Sequence, residues 1–154
     1  MKKFKFQLET LLKVTRMKKE DIEVKFAEVS RKLEDQKAHL QLLLNEMEQG
    51  QRDYESLSQE GTKVTVGKLM SFNRFFAWKR EQIDMQRSFI LQTQGEKQKR
   101  LRELMEVMSY LKSIEQLKEK RWREYQEQAM QEEQKFLDEL GLQLTMRARR
   151  EAAS

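Results

Sequence analysis

The chain has 154 residues, of which 37% are charged and 38% hydrophobic, with a formal net charge of +5 and a mean hydropathy of −0.91. So polar a chain cannot surround a thick globular core, but it can bury one narrow apolar seam between helices. It has no Cys, which excludes disulfides and thiolate chemistry. It also has no Pro, where average usage would give about seven or eight, and a chain without its main helix breaker is suited to long helices.

The N-terminus, MKKFKFQLETLL, starts basic and apolar, but Glu9, Lys13 and Arg16 interrupt it before an apolar signal region develops. It therefore reads as mature protein. No stretch approaches the roughly 18 consecutive apolar residues of a membrane span. Residues 1–20 sum to +5 and residues 141–154 to +2, while the stretch between them sums to −2. The basic excess sits at the two chain ends.

From Phe26 onward the spacing alternates between three and four: Phe26, Val29, Leu33, Gln36, Leu40, Leu43, Met47, Gly50, Tyr54 and Leu57. An a/d seam sustained over so many heptads predicts a coiled coil and argues against disorder. Gln36 and Gly50 interrupt it. Upstream, Phe4, Leu8, Leu11, Thr15, Lys18 and Ile22 continue the stripe with an apparent slip between Ile22 and Phe26.

The pattern fails between Ser58 and Ser71, where Gly61, Gly67 and the β-branched run Val64-Thr65-Val66 place a reversal. A second periodic region follows. Phe72, Phe76, Ile83 and Ile90 open it, Leu101, Leu104, Met108, Leu111 and Ile114 continue it, and Trp122, Tyr125, Ala129, Phe136 and Leu140 close it, with several phase slips. Gly95 stands within it as a point of bending or fraying.

The expectation is an all-α fold, two long helices forming one antiparallel coiled-coil hairpin. Helix one covers about 3–58, the turn about 59–68, helix two about 69–140, and 141–154 form a basic tail. At 1.5 Å per residue the helices would measure roughly 80 and 105 Å. Such pairing sets Phe4 near Trp122 and gathers the positive charge of both chain ends at one tip.

Nothing in the sequence suggests catalysis. His39 is the only histidine and stands beside the seam residue Leu40, without partners for a metal site or a triad. No Gly-rich phosphate loop occurs: Gly61 to Gly67-Lys68 is one residue too long and ends in Leu69. Glu34-Asp35 and Glu132-Glu133 are neighbours on a helix and do not face each other. No metal or cofactor is expected, and the chain is expected not to be an enzyme.

Two clusters carry functional hypotheses. Phe72, Phe75, Phe76 and Trp78 crowd one segment, as a widened core beside the turn or as an exposed docking patch. The basic tip combines Phe4, Phe6, Trp122, Phe136 and Met146 with the arginines, as a solvated end, a protein-docking end or a nucleic-acid contact. Interleaved Glu and Asp weaken the last of these.

Phe4-Lys5-Phe6-Gln7-Leu8-Glu9-Thr10-Leu11-Leu12, Leu117-Lys118-Glu119-Lys120-Arg121 with Tyr125, and Glu133-Gln134-Lys135-Phe136-Leu137-Asp138-Glu139-Leu140 with its basic tail resemble the FliJ family of the bacterial flagellar type III export apparatus. The resemblance implies a stalk-like coiled coil, similar in fold to the gamma subunit of rotary ATPases. It would enter the ring of the hexameric export ATPase FliI, promote ring assembly, reach the export gate protein FlhA and bind export chaperones. Phe4, Phe6, Leu8, Trp122, Arg123, Phe136, Arg147, Arg149 and Arg150 become candidates for the ATPase ring, and Tyr54, Phe72, Phe75 and Phe76 for the gate. It further implies a cytoplasmic protein associated peripherally with the inner membrane at the flagellar base, with no direct membrane insertion and no nucleic acid. The competing readings are the stalk of a virulence type III system, a basic-ended nucleic-acid-binding coiled coil, and a generic structural coiled coil with homo-oligomeric assembly.

Overall fold

The computed structural model describes residues 2–59 and 65–153. Helix α1 spans Glu9–Gln59 and α2 spans Val66–Ala153. They form an antiparallel helical hairpin: as α1 advances from Lys32 through Gln36 to Glu46, its partners on α2 retreat from Glu96 through Gln86 to Lys79. The middle of the expected turn, residues 60–64, lies outside the described residues.

Three boundaries differ from the sequence expectation. Residues 2–6 are not helical, and α1 begins only at Glu9. The cause is a period of two: Phe4 and Phe6 are half-buried and Lys5 between them is exposed, the alternation of an extended chain. Helix α2 begins at Val66 rather than 69, because Thr65 caps it. The Lys68 amide donates to Thr65 Oγ1 at 3.3 Å, and the Lys68 and Leu69 amides donate to the Thr65 carbonyl. Residues 141–153, read as a tail, are the last turns of α2.

The apparent slips in the seam also disappear. In α1 the inward positions are Leu12, Thr15, Lys19, Ile22 and Phe26, an unbroken alternation of three and four. Lys19, whose aliphatic stem is partly covered, takes the place expected of Lys18, and Leu12 that of Leu11. In α2 the inward positions run Phe72, Phe76, Lys79, Ile83, Gln86, Ile90, Thr93, Lys97, Arg100, Leu104, Val107, Leu111 and Ile114. Counting apolar residues alone produced the slips, because this seam passes through polar ones. Leu101 and Met108, expected inside, are 38% and 47% exposed. Exposed pairs such as Glu48–Arg52 and Glu119–Arg123 brace the outer faces at i, i+4, each contributing a few tenths of a kcal/mol.

The helices contribute to two compact units, one built from Met1–Lys18 with Val107–Ser154 and one from Lys19–Glu106. In the terminal unit the core is Leu12, Leu111 and Ile114, with Phe6 and Leu11 packed against it. Thr15 enters this seam at 4% exposure because its hydroxyl donates to the Leu11 carbonyl at 2.7 Å, within its own helix. In the middle unit Ile22, Leu33, Leu43, Ile83 and Ile90 are buried alongside Lys79, Gln86 and Thr93.

Candidate functional site

In the terminal unit the N-terminal segment is fastened to α2 by its aromatics. The Phe4 ring lies edge-on to Trp122, with centroids 5.2 Å apart, and 5.6 Å from Tyr125; Trp122 and Tyr125 stack at 5.7 Å. The Tyr125 hydroxyl donates to the Lys2 carbonyl at 2.6 Å. Phe6 packs on the buried Leu12–Leu111–Ile114 cluster. The F-x-F pattern is thus an internal clasp, its first ring on an aromatic pair and its second on the core. Leu8 is 37% exposed, and its carbonyl accepts the Leu12 amide.

Two ion pairs join α1 and α2 in this unit, Glu9–Lys118 at 2.9 Å and Arg16–Glu115 at 3.5 Å. The hydrogen bond from Lys118, more than any other influence, holds the Glu9 carboxyl below its ordinary pKa. Arg123 is turned along its own helix toward Glu119, 2.6 Å away.

The remaining ring candidates lie elsewhere. Every described residue from Met130 to Ala153 is exposed, including Phe136 at 62% and the arginines Arg147, Arg149 and Arg150. Lys2, Lys3 and Lys5 border a hollow with Tyr125, Gln128 and Glu132, whereas Arg147 lies 22 residues beyond Tyr125 on the same helix, roughly 33 Å at the helical rise. The positive charge of the two chain ends therefore forms two patches rather than one tip.

In the middle unit Tyr54, Phe72, Phe75 and Phe76 are brought together. Tyr54 lies edge-on to Phe72 at 5.5 Å and to Phe76 at 6.3 Å, Phe72 and Phe76 stack, and Phe75 meets Phe76 at 5.7 Å. Their order depends on Gly50. A Cβ built there would stand 2.5 Å from Phe75 Cε1, so the absent side chain is the space the ring occupies. This residue, read in the sequence as an interruption of the seam, is the socket for an aromatic from the other helix.

Lys79, 5% exposed, pairs with Glu46 and has its ammonium 5.7 Å and 5.0 Å from the centroids of Phe75 and Trp78. Trp78 itself is 54% exposed, as are Met70 at 52% and Leu69 at 37%. His39 is exposed, at the edge of a shallow groove with Glu28, Arg31 and Asp35.

Among the described residues no group of three or more His, Cys, Asp or Glu side chains is placed to hold a metal ion, and no helix is long and apolar enough to cross a membrane. What the structure presents is a two-helix coiled coil with an exposed helical extension and an aromatic cluster. The family model described as "Flagellar FliJ protein" matches residues 4–150, and the chain belongs to that family, a component of the flagellar export apparatus. No curated protein and no solved structure matches it.

Proposed function

We propose that the chain is a non-enzymatic stalk that binds the ring of the hexameric export ATPase FliI and promotes its assembly, while linking the ring to the export gate protein FlhA and to export chaperones. It acts in the cytoplasm, held peripherally at the inner membrane beneath the flagellum. Family membership supports the setting. The observation that carries the reading is the stretch of α2 from Met130 to Ala153, exposed throughout, with a stripe of Met130, Phe136, Leu137, Leu140 and Leu144 and a basic end. A helix presenting such a stripe fits an apolar groove or channel with acidic walls.

On this reading Phe136, Arg147, Arg149 and Arg150 touch the ring directly. Phe4, Phe6, Leu8, Trp122 and Arg123 act at the base of the extension, where the aromatic clasp sets the direction in which α2 leaves the paired region. Tyr54, Phe72, Phe75 and Phe76, with exposed Trp78 beside them, form the gate-facing patch. The test is ATP hydrolysis by the cognate export ATPase with and without the chain. The purified chain alone hydrolyses no ATP but stimulates the ATPase, and joint reversal of Arg147, Arg149 and Arg150 to Glu weakens that stimulation at low salt. Undiminished stimulation by the triple variant removes charge from the docking mechanism.

A further inference from the structure

The extension of α2 has a charge order that its apolar stripe alone does not require. At 100° per residue, Met130, Phe136, Leu137, Leu140 and Leu144 fall within an arc of about 120°, and all are between 44% and 70% exposed. Along the axis the first half carries Glu132, Glu133, Asp138 and Glu139 against Lys135, and the second half carries Arg147, Arg149 and Arg150. The same arc also holds Glu133 near its start and Arg147 near its end, while Leu142 and Met146 project from the other side, so this face is mainly apolar, acidic at its start and basic at its end, with Leu140 near the centre.

Such a segment is complementary to its own inverted copy. If two extensions lie antiparallel and cross beside Leu140, Leu137 of each meets Leu144 of the other. Glu133 and Arg147 lie on this same face, and the register sets them within one residue of each other across the crossing. Gly141 follows Leu140, and a Cβ there would find open space in the single chain, so a second backbone can approach closely at the crossing. A parallel pair would set acid on acid and base on base, so the flanking charges select the antiparallel orientation.

We infer that the exposed face of α2 from Met130 to Arg150 is a self-association surface, which pairs antiparallel with the same segment of a second copy of this chain. The inference stands on the charge order and the stripe, and does not depend on the chain docking in an ATPase ring. Paired extensions hide the stripe, so the dimer and any complex that uses this face exclude each other.

Sedimentation equilibrium of the full chain at low salt tests it. The expected result is a concentration-dependent monomer–dimer equilibrium that weakens as salt is added, because the flanking charges are exposed to screening. The pair Glu132→Arg with Glu133→Arg makes both halves basic, and the pair Arg147→Glu with Arg149→Glu makes both acidic. Each double variant alone should dimerise at least tenfold more weakly, and their equimolar mixture should recover the original affinity.

Because the chain lacks cysteine, Leu140→Cys reports the crossing directly. It should oxidise to a dimer, while Leu144→Cys alone should not and should cross-link only with Leu137→Cys. A wild-type chain that stays monomeric throughout the concentration range assigns the face to another partner and overturns the inference. So does a mixture no tighter than its components, or a Leu144→Cys homodimer.

Discussion

The two compact units share the same two helices but bury different chemistry. The terminal unit closes on Leu12, Val107, Leu111 and Ile114, and its buried Thr15 hydroxyl bonds within its own helix rather than across to α2. In the middle unit one heptad column of α2 reads Lys79, Gln86, Thr93, Arg100. Three of these are buried, and two reach across to α1, Lys79 to the Glu46 carboxylate and Gln86 Nε2 to the Gln36 carbonyl at 2.9 Å. Apolar burial supplies stability without direction, whereas polar seam positions exchange stability for a defined pairing. The comparison teaches that both units draw cohesion from apolar burial, while the buried polar contacts that define the pairing sit in the middle unit.

Truncating the apolar part of the terminal seam gives the largest effect. Leu12 is fully buried, and Leu12→Ala should cost about 3–4 kcal/mol by denaturant unfolding, in line with the transfer and cavity losses of core leucines. A loss under 1 kcal/mol would show that the terminal unit does not rely on this seam.

The polar column responds less, and its loss is reversible by a second substitution. Glu46→Ala strands the buried Lys79 ammonium and should cost about 1–2 kcal/mol, less than a fully buried pair because Glu46 is half exposed. Adding Lys79→Met should return stability to the original level or above. If the double variant is the least stable of the three, the ion pair contributes cohesion rather than specificity.

Two glycines sharpen the contrast further. Gly95 faces open space, so Gly95→Ala should stabilise by about 1 kcal/mol through helix propensity alone. Gly50→Ala meets the same propensity gain but forces the Phe75 ring to move. It should therefore destabilise by about 1 kcal/mol, the overpacking cost exceeding the gain. Thermal melts of the two variants should move in opposite directions.

The smallest effect is electrostatic and confined to the terminal unit. The Glu9 pKa is lowered by the Lys118 hydrogen bond, so its contribution to stability is present above the ordinary carboxylate value of 4.5 and is lost as pH falls through the lowered value. In Lys118→Met an NMR titration should find the Glu9 pKa raised toward 4.5.

The hairpin was legible in the sequence because Pro is absent and the Phe26–Leu57 seam is regular. The register was legible only in part. The residues spaced by seven in the middle of α2 were in plain view, but a search for apolar periodicity passes over Lys79, Gln86 and Thr93. The extended start was marked by Lys-Phe-Lys-Phe, a two-residue alternation that is easily absorbed into a helical stripe. The aromatics around Tyr54 announced themselves by density. Nothing local to Gly50 announced its ring contact, since that depends on which residue of a distant helix arrives opposite.

The notch at Gly50 also acts as a detent. A column repeating every seven residues offers shallow alternatives in which one helix slides by a heptad and still sets like against like. A slide of that length would carry the Phe75 ring from the notch to Leu43 or Leu57, where a branched side chain already fills the space. One missing methyl group thereby locks a sliding seam in a single position.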